Sequence, residues 1–259
     1  NQWNFPDGTP IEAVMAQSAA AGFEAVELNL QEPGAPGLTL ESTDADVQKV
    51  KALADQYGLK LRSLSCGLYW SYPLTSNDAN IRRKAGDILR KQLELAAALG
   101  ADTVLVVPGV VEPDVPYDVC YKRSQDEIAK RLPEAEQLGV NIGIENVWNK
   151  FLLSPLEMAR FVDEFGSPRA KAYFDCGNVL AFGYPEHWIP ILGDRIIKVH
   201  IKDYRTDAGN GSLTGFVPLL AGDVNWPKVI GALREIAHQG HGADRLHHVQ
   251  IVVERRAAF

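Results

Sequence analysis

Cysteine is scarce in this sequence: only Cys66, Cys120 and Cys176 occur among 259 residues, widely spaced and without a CxxC pair. An odd number of distant cysteines indicates neither a disulfide framework nor a thiolate zinc site. The sequence therefore predicts a protein of a reducing compartment, and we expect a cytoplasmic location.

Excess positive charge and long apolar runs are also missing. The formal net charge is −7, which leaves no basic surface to neutralise a nucleic-acid backbone, although one small phosphate group could still find a local basic pocket. No segment approaches 18 consecutive apolar residues, and residues 1–30 show no cationic start followed by an apolar stretch. We expect no nucleic-acid partner, no membrane span and no signal peptide.

What the chain does have is an alternation of helical and strand periodicity, with glycines at the joints. Eight segments have the composition of strands: "NQWNF", "AVELNL", "LRSLSC", "TVLVVPG", "NIGIENV", "KAYFDCGN", "IIKVHIKD" and "VQIVVE". Repeated βα units imply parallel strands covered by helices, and eight of them predict an α/β protein, a (β/α)8 TIM barrel that forms a single domain over residues 1–259. Strand one would start at the N-terminus, and the eighth helix would be missing or truncated.

An open doubly wound sheet is the competing architecture. Such a sheet usually carries a glycine-rich phosphate loop after its first strand, and neither GxGxxG nor a P-loop follows "NQWNF". The sequence favours the barrel.

The last four predicted strands share one pattern, in which apolar residues occupy one face and the other face ends in a polar residue. The four polar residues are Glu145, Asp175, His200 and Glu254. Because the carboxyl ends of barrel strands meet at one rim, we expect these side chains to converge. Three carboxylates would repel one another there unless a cation lay between them, so the pattern predicts a divalent metal site.

Oxygen and nitrogen ligands without a thiolate suit Mn²⁺, our first candidate, as well as Mg²⁺ and Co²⁺, and Zn²⁺ also accepts them. Taken alone, each of the four residues could be a solvated loop residue or a helix cap. The metal prediction depends on their common parity in four successive strands.

Several residues beside these strands are candidates for substrate contacts. Lys202 and Arg205, in and just after "HIKDY", could bind substrate oxygens or a phosphate, but Lys202 could equally balance the carboxylates and Arg205 could be solvated. Trp148 could form a wall of a sugar pocket or pack in the core. Tyr72, in the loop "GLYWSYPLTS", could cover the pocket, and Asp203 could orient a metal ligand by a hydrogen bond.

Four motifs, "IENVWN", "FDCGNV", "HIKD" and "GDVNWPKVI", resemble the xylose-isomerase-like sugar isomerase and epimerase superfamily. The likeness is greatest to ketose 3-epimerases and to the L-xylulose 5-phosphate 3-epimerase and hexulose 6-phosphate isomerase group. The resemblance implies a metal held by Glu145, Asp175, His200 and Glu254, with the two glutamates as acid and base. It also implies a homodimer or homotetramer. Asn178 stands where the tagatose and allulose epimerase branch has a substrate-contacting histidine, so we expect Asn178 to contact the substrate.

The sequence therefore predicts a metal-dependent isomerase that acts on a ketose or ketose phosphate through an enediolate, most directly by 3-epimerisation. An aldose-ketose isomerase and an inosose-type dehydratase use the same intermediate and stay open, as does a non-catalytic sugar-binding relative. A phosphodiesterase of the endonuclease IV type would need a histidine-rich zinc site and a basic face. The sequence before residue 238 has only His187 and His200.

Overall fold

A computed structural model describes residues 1–209, 212–239 and 250–253 of the chain. The chain divides into two compact units, of which the first is Asn1–Ile142 and the second begins at Gly143. The expected single domain over residues 1–259 stays a prediction. Within the described ranges, no helix has both the length and the apolar content that a membrane crossing requires.

The first unit alternates strands and helices. Its helices are α1 (Ile11–Ala20), α2 (Asp44–Gln56), α3 (Ala79–Leu99), α4 (Tyr117–Ala129) and α5 (Leu132–Leu138), with 3₁₀ helices at Gln2–Asn4 and Leu68–Trp70. Its strands are β1 (Ala25–Gln31), β2 (Leu38–Thr39), β3 (Lys60–Cys66) and β4 (Thr103–Val106), and β5 (Asn141–Glu145) starts in this unit and ends in the second. The strand order is β2-β1-β3-β4, and these neighbours are parallel.

The longest helix, α3, shows why the sequence forms this unit. Ile88, Leu89, Leu93 and Ala96 recur at helical spacing, and all four side chains are buried, so the helix has one continuous apolar face. Gly100 ends the helix with φ +79°, a left-handed conformation that glycine adopts without steric cost. The sequence therefore determines both the buried face of α3 and the residue at which the helix ends.

The second unit contains the remaining helices: α6 (Pro155–Asp163), α7 (Cys176–Val179), α8 (Pro185–Leu192), α9 (Thr206–Gly209) and α10 (Trp226–Gln239), with 3₁₀ helices at Gly193–Arg195 and Leu213–Gly215. Its strands after β5 are β6 (Ala170–Asp175), β7 (Ile196–Ile201), β8 (Asp203–Tyr204), β9 (Phe216–Val217) and β10 (Gln250–Val253). The main strands follow the order β5-β6-β7-β10, and β6-β7 and β7-β10 are parallel pairs. The short strands β8 and β9 form a separate antiparallel pair.

Seven of the eight predicted strands are confirmed, and the first is wrong. The segment "NQWNF" contains the 3₁₀ helix Gln2–Asn4. Asn1 Oδ1 accepts a hydrogen bond from the backbone N–H of Trp3 at 2.6 Å, and such local bonds compete with strand pairing. The segment also lacks β-branched residues, which strands favour. The predicted absence of an eighth helix concerns residues outside the described ranges.

All three cysteines are buried and free of disulfide bonds. The apolar side chains around them form the core of the fold.

Candidate metal centre

Three of the four predicted metal ligands lie together in the second unit. Glu145 ends β5, Asp175 ends β6, and His200 is the fifth residue of β7, directly opposite Asp175 in the parallel register. Each of the three residues offers one ligand atom, and these atoms all lie within 4.8 Å of one another. Strand parity thus brings these side chains together as predicted. Glu254, the fourth, lies outside the described residues.

The imidazole of His200 points one nitrogen at both carboxylates. Its Nδ1 lies 2.8 Å from Glu145 Oε1 and 3.9 Å from Asp175 Oδ2. Asp175 and His200 are completely buried, and Glu145 is 5% exposed. The aromatic ring of Tyr173 lies 4.7 Å from the imidazole, centroid to centroid, and restricts its rotation. The donor set is compact, preorganised and withdrawn from water.

Burial destabilises the charged forms of the residues in this cluster. Loss of solvation raises the pKa of Glu145 to about 7, and the neighbouring Asp175 carboxylate adds to this increase, while the hydrogen bond to His200 opposes it. A carboxyl group removed from water prefers its neutral form unless a positive charge compensates for the lost solvation. A divalent cation at this position would supply that charge and keep the carboxylate ionised.

Lys202 already supplies one positive charge to the cluster. Its side chain is buried, and Nζ lies 3.1 Å from Asp175 Oδ2. This is an ion-pair distance without hydrogen-bond geometry, since Oδ2 accepts no hydrogen bond from the described part of the chain. The sequence left two roles open for Lys202, and its position matches the charge-balancing one.

Asp175 Oδ2 tests whether the site fits a cation, because it accepts no hydrogen bond from a described residue and already has a positive charge, the Lys202 ammonium, 3.1 Å away. A buried carboxylate oxygen without a hydrogen-bond donor is unfavourable, and here it is Oδ2, the oxygen that faces His200 Nδ1. Two carboxylates and one imidazole are oxygen and nitrogen donors of the type that Mn²⁺, Mg²⁺, Co²⁺ and Zn²⁺ accept. The residues present therefore fit a divalent metal ion.

A pair of asparagines holds Asp175 in place. The Asn146 side chain accepts a hydrogen bond from the Asp175 backbone N–H and donates one to the Asp175 carbonyl, each at 2.8 Å. Asp175 Oδ1 accepts a hydrogen bond at 2.8 Å from the backbone N–H of Asn178 and so caps helix α7. The sequence analysis missed Asn146, although a polar residue directly after the ligand Glu145 in "IENV" was the available signal.

Asn178, predicted to contact the substrate, lies beside Asp175, and its Oδ1 has no hydrogen-bond partner among the described residues. The substrate contact stays a prediction. Asn178 Nδ2 donates to the carbonyl of Asn146 at 3.0 Å, which fixes the orientation of the amide because a carbonyl only accepts. Its Oδ1 is buried and accepts no hydrogen bond from any described residue. Asn178 therefore presents an acceptor beside Asp175.

Trp148, predicted as a substrate contact, also belongs to this region. Its Nε1 donates to the carbonyl of Asn178 at 3.1 Å. Its ring packs against Tyr204 and Phe216, with centroid distances of 5.2 and 5.3 Å. We name Trp148, Tyr204 and Phe216 the aromatic cluster. It adjoins the metal centre because Lys202 Nζ lies 5.1 Å from the Phe216 centroid.

The other two predicted substrate contacts, Arg205 and Tyr72, have charged partners of their own in the described structure. Arg205 is exposed, and its guanidinium is held by Asp207 through two hydrogen bonds. Tyr72 belongs to the first unit, where Lys84 Nζ lies 3.7 Å from its ring centroid. Their contact with a substrate stays a prediction.

Known proteins similar to this chain include two sugar 3-epimerases by sequence and a third by structure. L-ribulose 3-epimerase of Methylomonas sp. (strain DH-1) is 27% identical over 235 residues, which cover 87% of this chain and 74% of the relative. L-ribulose-5-phosphate 3-epimerase UlaE of Salmonella typhimurium (strain LT2) is 24% identical over 229 residues, which cover 85% and 76%. The crystal structure of D-psicose 3-epimerase in the presence of D-fructose superposes with a TM-score of 0.76 at 19% identity, covering 97% of this chain and 82% of that one.

The solved structure, at its low identity, shows likeness of fold. A family model described as "Xylose isomerase-like TIM barrel" matches residues 15–251, which is most of the chain. The match confirms the predicted α/β barrel class and the resemblance seen in the sequence motifs. The chain belongs to the family of xylose isomerase-like TIM barrels.

Proposed function

We propose that this protein is a divalent-metal-dependent epimerase that inverts C3 of a ketose or ketose phosphate through an enediolate intermediate. The observation that carries the proposal is the buried group of Glu145, Asp175 and His200, whose ligand atoms lie within 4.8 Å of one another. It stands in a chain related to L-ribulose and L-ribulose-5-phosphate 3-epimerases. The predicted cytoplasmic location and homodimeric or homotetrameric assembly stay predictions.

Glu145, Asp175, His200 and Glu254 would hold the metal, with Mn²⁺ as the first candidate. When bound, the ion supplies positive charge that stabilises the enediolate oxygens, a contribution of several kcal/mol in metal enzymes. The Glu145 carboxylate takes the C3 proton from one face of the substrate, and Glu254 delivers a proton to the opposite face. Because the enediolate is planar at C3, protonation from the face opposite to deprotonation inverts that centre.

The assignment of Glu254 rests on sequence and strand register. The parallel pairing of β10 with β7 sets residue 252 opposite His200, and Glu254 has the same parity as residue 252. Residues of one parity share a face of a strand. This register supports Glu254 as the second acid-base group.

The groups around the metal centre also favour a polyhydroxylated substrate. Trp148 and its aromatic neighbours offer apolar surface for C–H groups, and Lys202 places a positive charge beside Asp175. The free Asn178 Oδ1 can only accept, so it selects a hydroxyl of the substrate over a phosphate oxygen. A phosphate group would bind elsewhere, and Arg205 and Lys202 are the two residues predicted for it.

The proposal is tested by incubating the native protein with Mn²⁺ and L-ribulose or L-ribulose 5-phosphate in heavy water. We expect deuterium at C3 together with the C3 epimer, observed by NMR. Deuterium at C1 with formation of an aldose would indicate an aldose-ketose isomerase, and loss of a hydroxyl a dehydratase. Binding without any isotope exchange would contradict an enzymatic role. Comparison of the two sugars decides whether the substrate is phosphorylated.

Asn178→Ala tests the hydroxyl contact. Loss of the neutral hydrogen bond to the substrate should raise KM for the ketose by roughly three- to tenfold, with a smaller change in kcat. Because the substitution also removes the Nδ2 hydrogen bond to the Asn146 carbonyl, Mn²⁺ affinity is measured on the same variant. Steady-state kinetics at saturating Mn²⁺ measure the split. An unaltered KM would mean that the Asn178 side chain does not touch the substrate.

A further inference from the structure

Asp203 is a buried carboxylate close to the metal centre with no role in the chemistry above. Its side chain is completely buried. Both oxygens accept hydrogen bonds from backbone N–H groups. Oδ1 accepts from Tyr204, the next residue of β8, and from Val224, at 3.0 and 3.2 Å, and Oδ2 accepts from Leu220 and Gly222, at 2.9 and 3.1 Å. The indole Nε1 of Trp226 donates a fifth hydrogen bond to Oδ2 at 3.1 Å.

Five donors exceed the roughly four lone-pair positions of a carboxylate, so its oxygens have no acceptor capacity left. Asp203 is therefore not free to orient His200 or another metal ligand, which was the role considered from sequence. All five donors belong to Tyr204 or to residues 212–226, which we name the return segment. The carboxylate attaches residues 220–226 of the return segment to β8, in addition to the β8-β9 ladder that pairs residues 216 and 217 with it.

Gly222 shows how closely the return segment approaches this anchor. A Cβ atom at position 222 would lie 2.1 Å from Asp203 Oδ1 and 2.7 Å from the Tyr204 backbone nitrogen. Both distances are far below a van der Waals contact, so no residue with a side chain fits. The glycine in "GDVNW" is thus explained by the carboxylate that it packs against.

The return segment carries one wall of the substrate region. Phe216 pairs with Tyr204 in the antiparallel β8-β9 ladder, and the two rings lie 5.1 Å apart. Both rings pack on Trp148, and Phe216 approaches Lys202. Trp148 and Phe216 are half-buried, so part of their surface is available to a ligand. The position of Phe216 depends on the segment that Asp203 holds.

We propose that Asp203 is a positioning residue that determines how the ketose binds, by fixing the return segment and with it the aromatic cluster beside the metal centre. This role rests on the proposed function for its substrate. Asp203 acts on the apolar wall, through Tyr204 and Phe216, and not on the metal ligands. Its loss should therefore affect ketose binding and leave metal binding intact.

Asp203→Asn is the test, since asparagine has the same shape but turns an amide nitrogen toward N–H donors. We expect backbone amides of Leu220, Gly222 and Val224 to exchange with heavy water roughly tenfold faster or more. KM for L-ribulose should rise roughly tenfold or more, with kcat changed less than KM and Mn²⁺ affinity near the native value. Asp223→Asn is the matched control, because that exposed carboxylate of the same segment accepts hydrogen bonds only from Thr206 in the described structure. It should leave amide exchange and KM near native values.

Trp226→Phe removes a single donor and keeps an aromatic ring, so it tests the same anchor if Asp203→Asn fails to fold. It should change amide exchange and KM in the same direction by a smaller factor. Unchanged amide exchange, or faster exchange with a native KM, would overturn the proposal. If the native protein does not epimerise L-ribulose, the proposed function fails while amide exchange still decides whether Asp203 holds the segment.

Discussion

Replacing Glu145 with glutamine is expected to lower kcat/KM for deuterium exchange at C3 by roughly 10³-fold or more. General acid-base catalysis contributes about 10²- to 10⁴-fold, and this residue is proposed to be both the base and a metal ligand. Glutamine keeps the size of the buried side chain and can still accept the hydrogen bond from His200 at Oε1. The loss should therefore come from chemistry and not from unfolding. The measurement is the initial rate of isotope incorporation, followed by NMR at several Mn²⁺ concentrations.

The two roles of Glu145 can be separated by the metal titration. If the residue served only as a ligand, saturating Mn²⁺ would restore the rate; if it is also the base, the rate at saturation stays low. Glu164→Gln is the control, because Glu164 is an exposed residue of the same unit, bonded to Arg160. It should exchange at the native rate. A Glu145→Gln protein with native isotope exchange would remove the catalytic assignment altogether.

The convergence of Glu145, Asp175 and His200 could be predicted because it follows from the alternation of residues within each strand. In β5, β6 and β7 the alternation of apolar and polar residues decides which side chains face which way, and Glu145, Asp175 and His200 follow that alternation in the structure. The parallel register then sets Asp175 and His200 opposite each other. Strand parity and a common sheet edge are enough to bring residues 55 positions apart into hydrogen-bond contact.

The features that the sequence could not predict depend on contacts that follow no helical or strand periodicity. The N-terminal segment is polar and short, and the side-chain bond from Asn1 to the Trp3 backbone decides its 3₁₀ form. Asp203 has donors up to 23 residues away on an irregular segment, so no spacing rule reveals them. Likewise, the sequence places Lys202 on the same strand face as His200, but its 3.1 Å distance to Asp175 Oδ2 comes only from the structure. Whether Lys202 also binds the substrate stays a prediction.

Asp175→Asn is expected to remove most of the stabilisation that Mn²⁺ gives to the folded protein. Losing a group that merely orients a ligand weakens metal affinity by about 10- to 100-fold, so losing the charge of the ligand itself should weaken it by roughly 100-fold or more. A ligand at 100 times its Kd stabilises the native state by about 2.7 kcal/mol, and at a concentration equal to Kd by only about 0.4 kcal/mol. Thermal unfolding with and without Mn²⁺ measures this difference directly, whether or not the substrate has been identified.

Asp175→Asn should leave the local structure close to that of the native protein. Asparagine retains an acceptor for the Asn178 backbone N–H, which caps α7, and the Asn146 side chain contacts only the backbone of residue 175. The variant changes the partner of Lys202 and so could shift Tm even without metal. This shift cancels because the quantity compared is the difference between the Tm with and without Mn²⁺ of the same protein. Asp163→Asn provides the control, because this exposed carboxylate pairs with Arg195 outside the metal centre. If Asp175→Asn kept the full Mn²⁺-dependent rise in Tm, the ion would bind elsewhere and the proposed centre would be wrong.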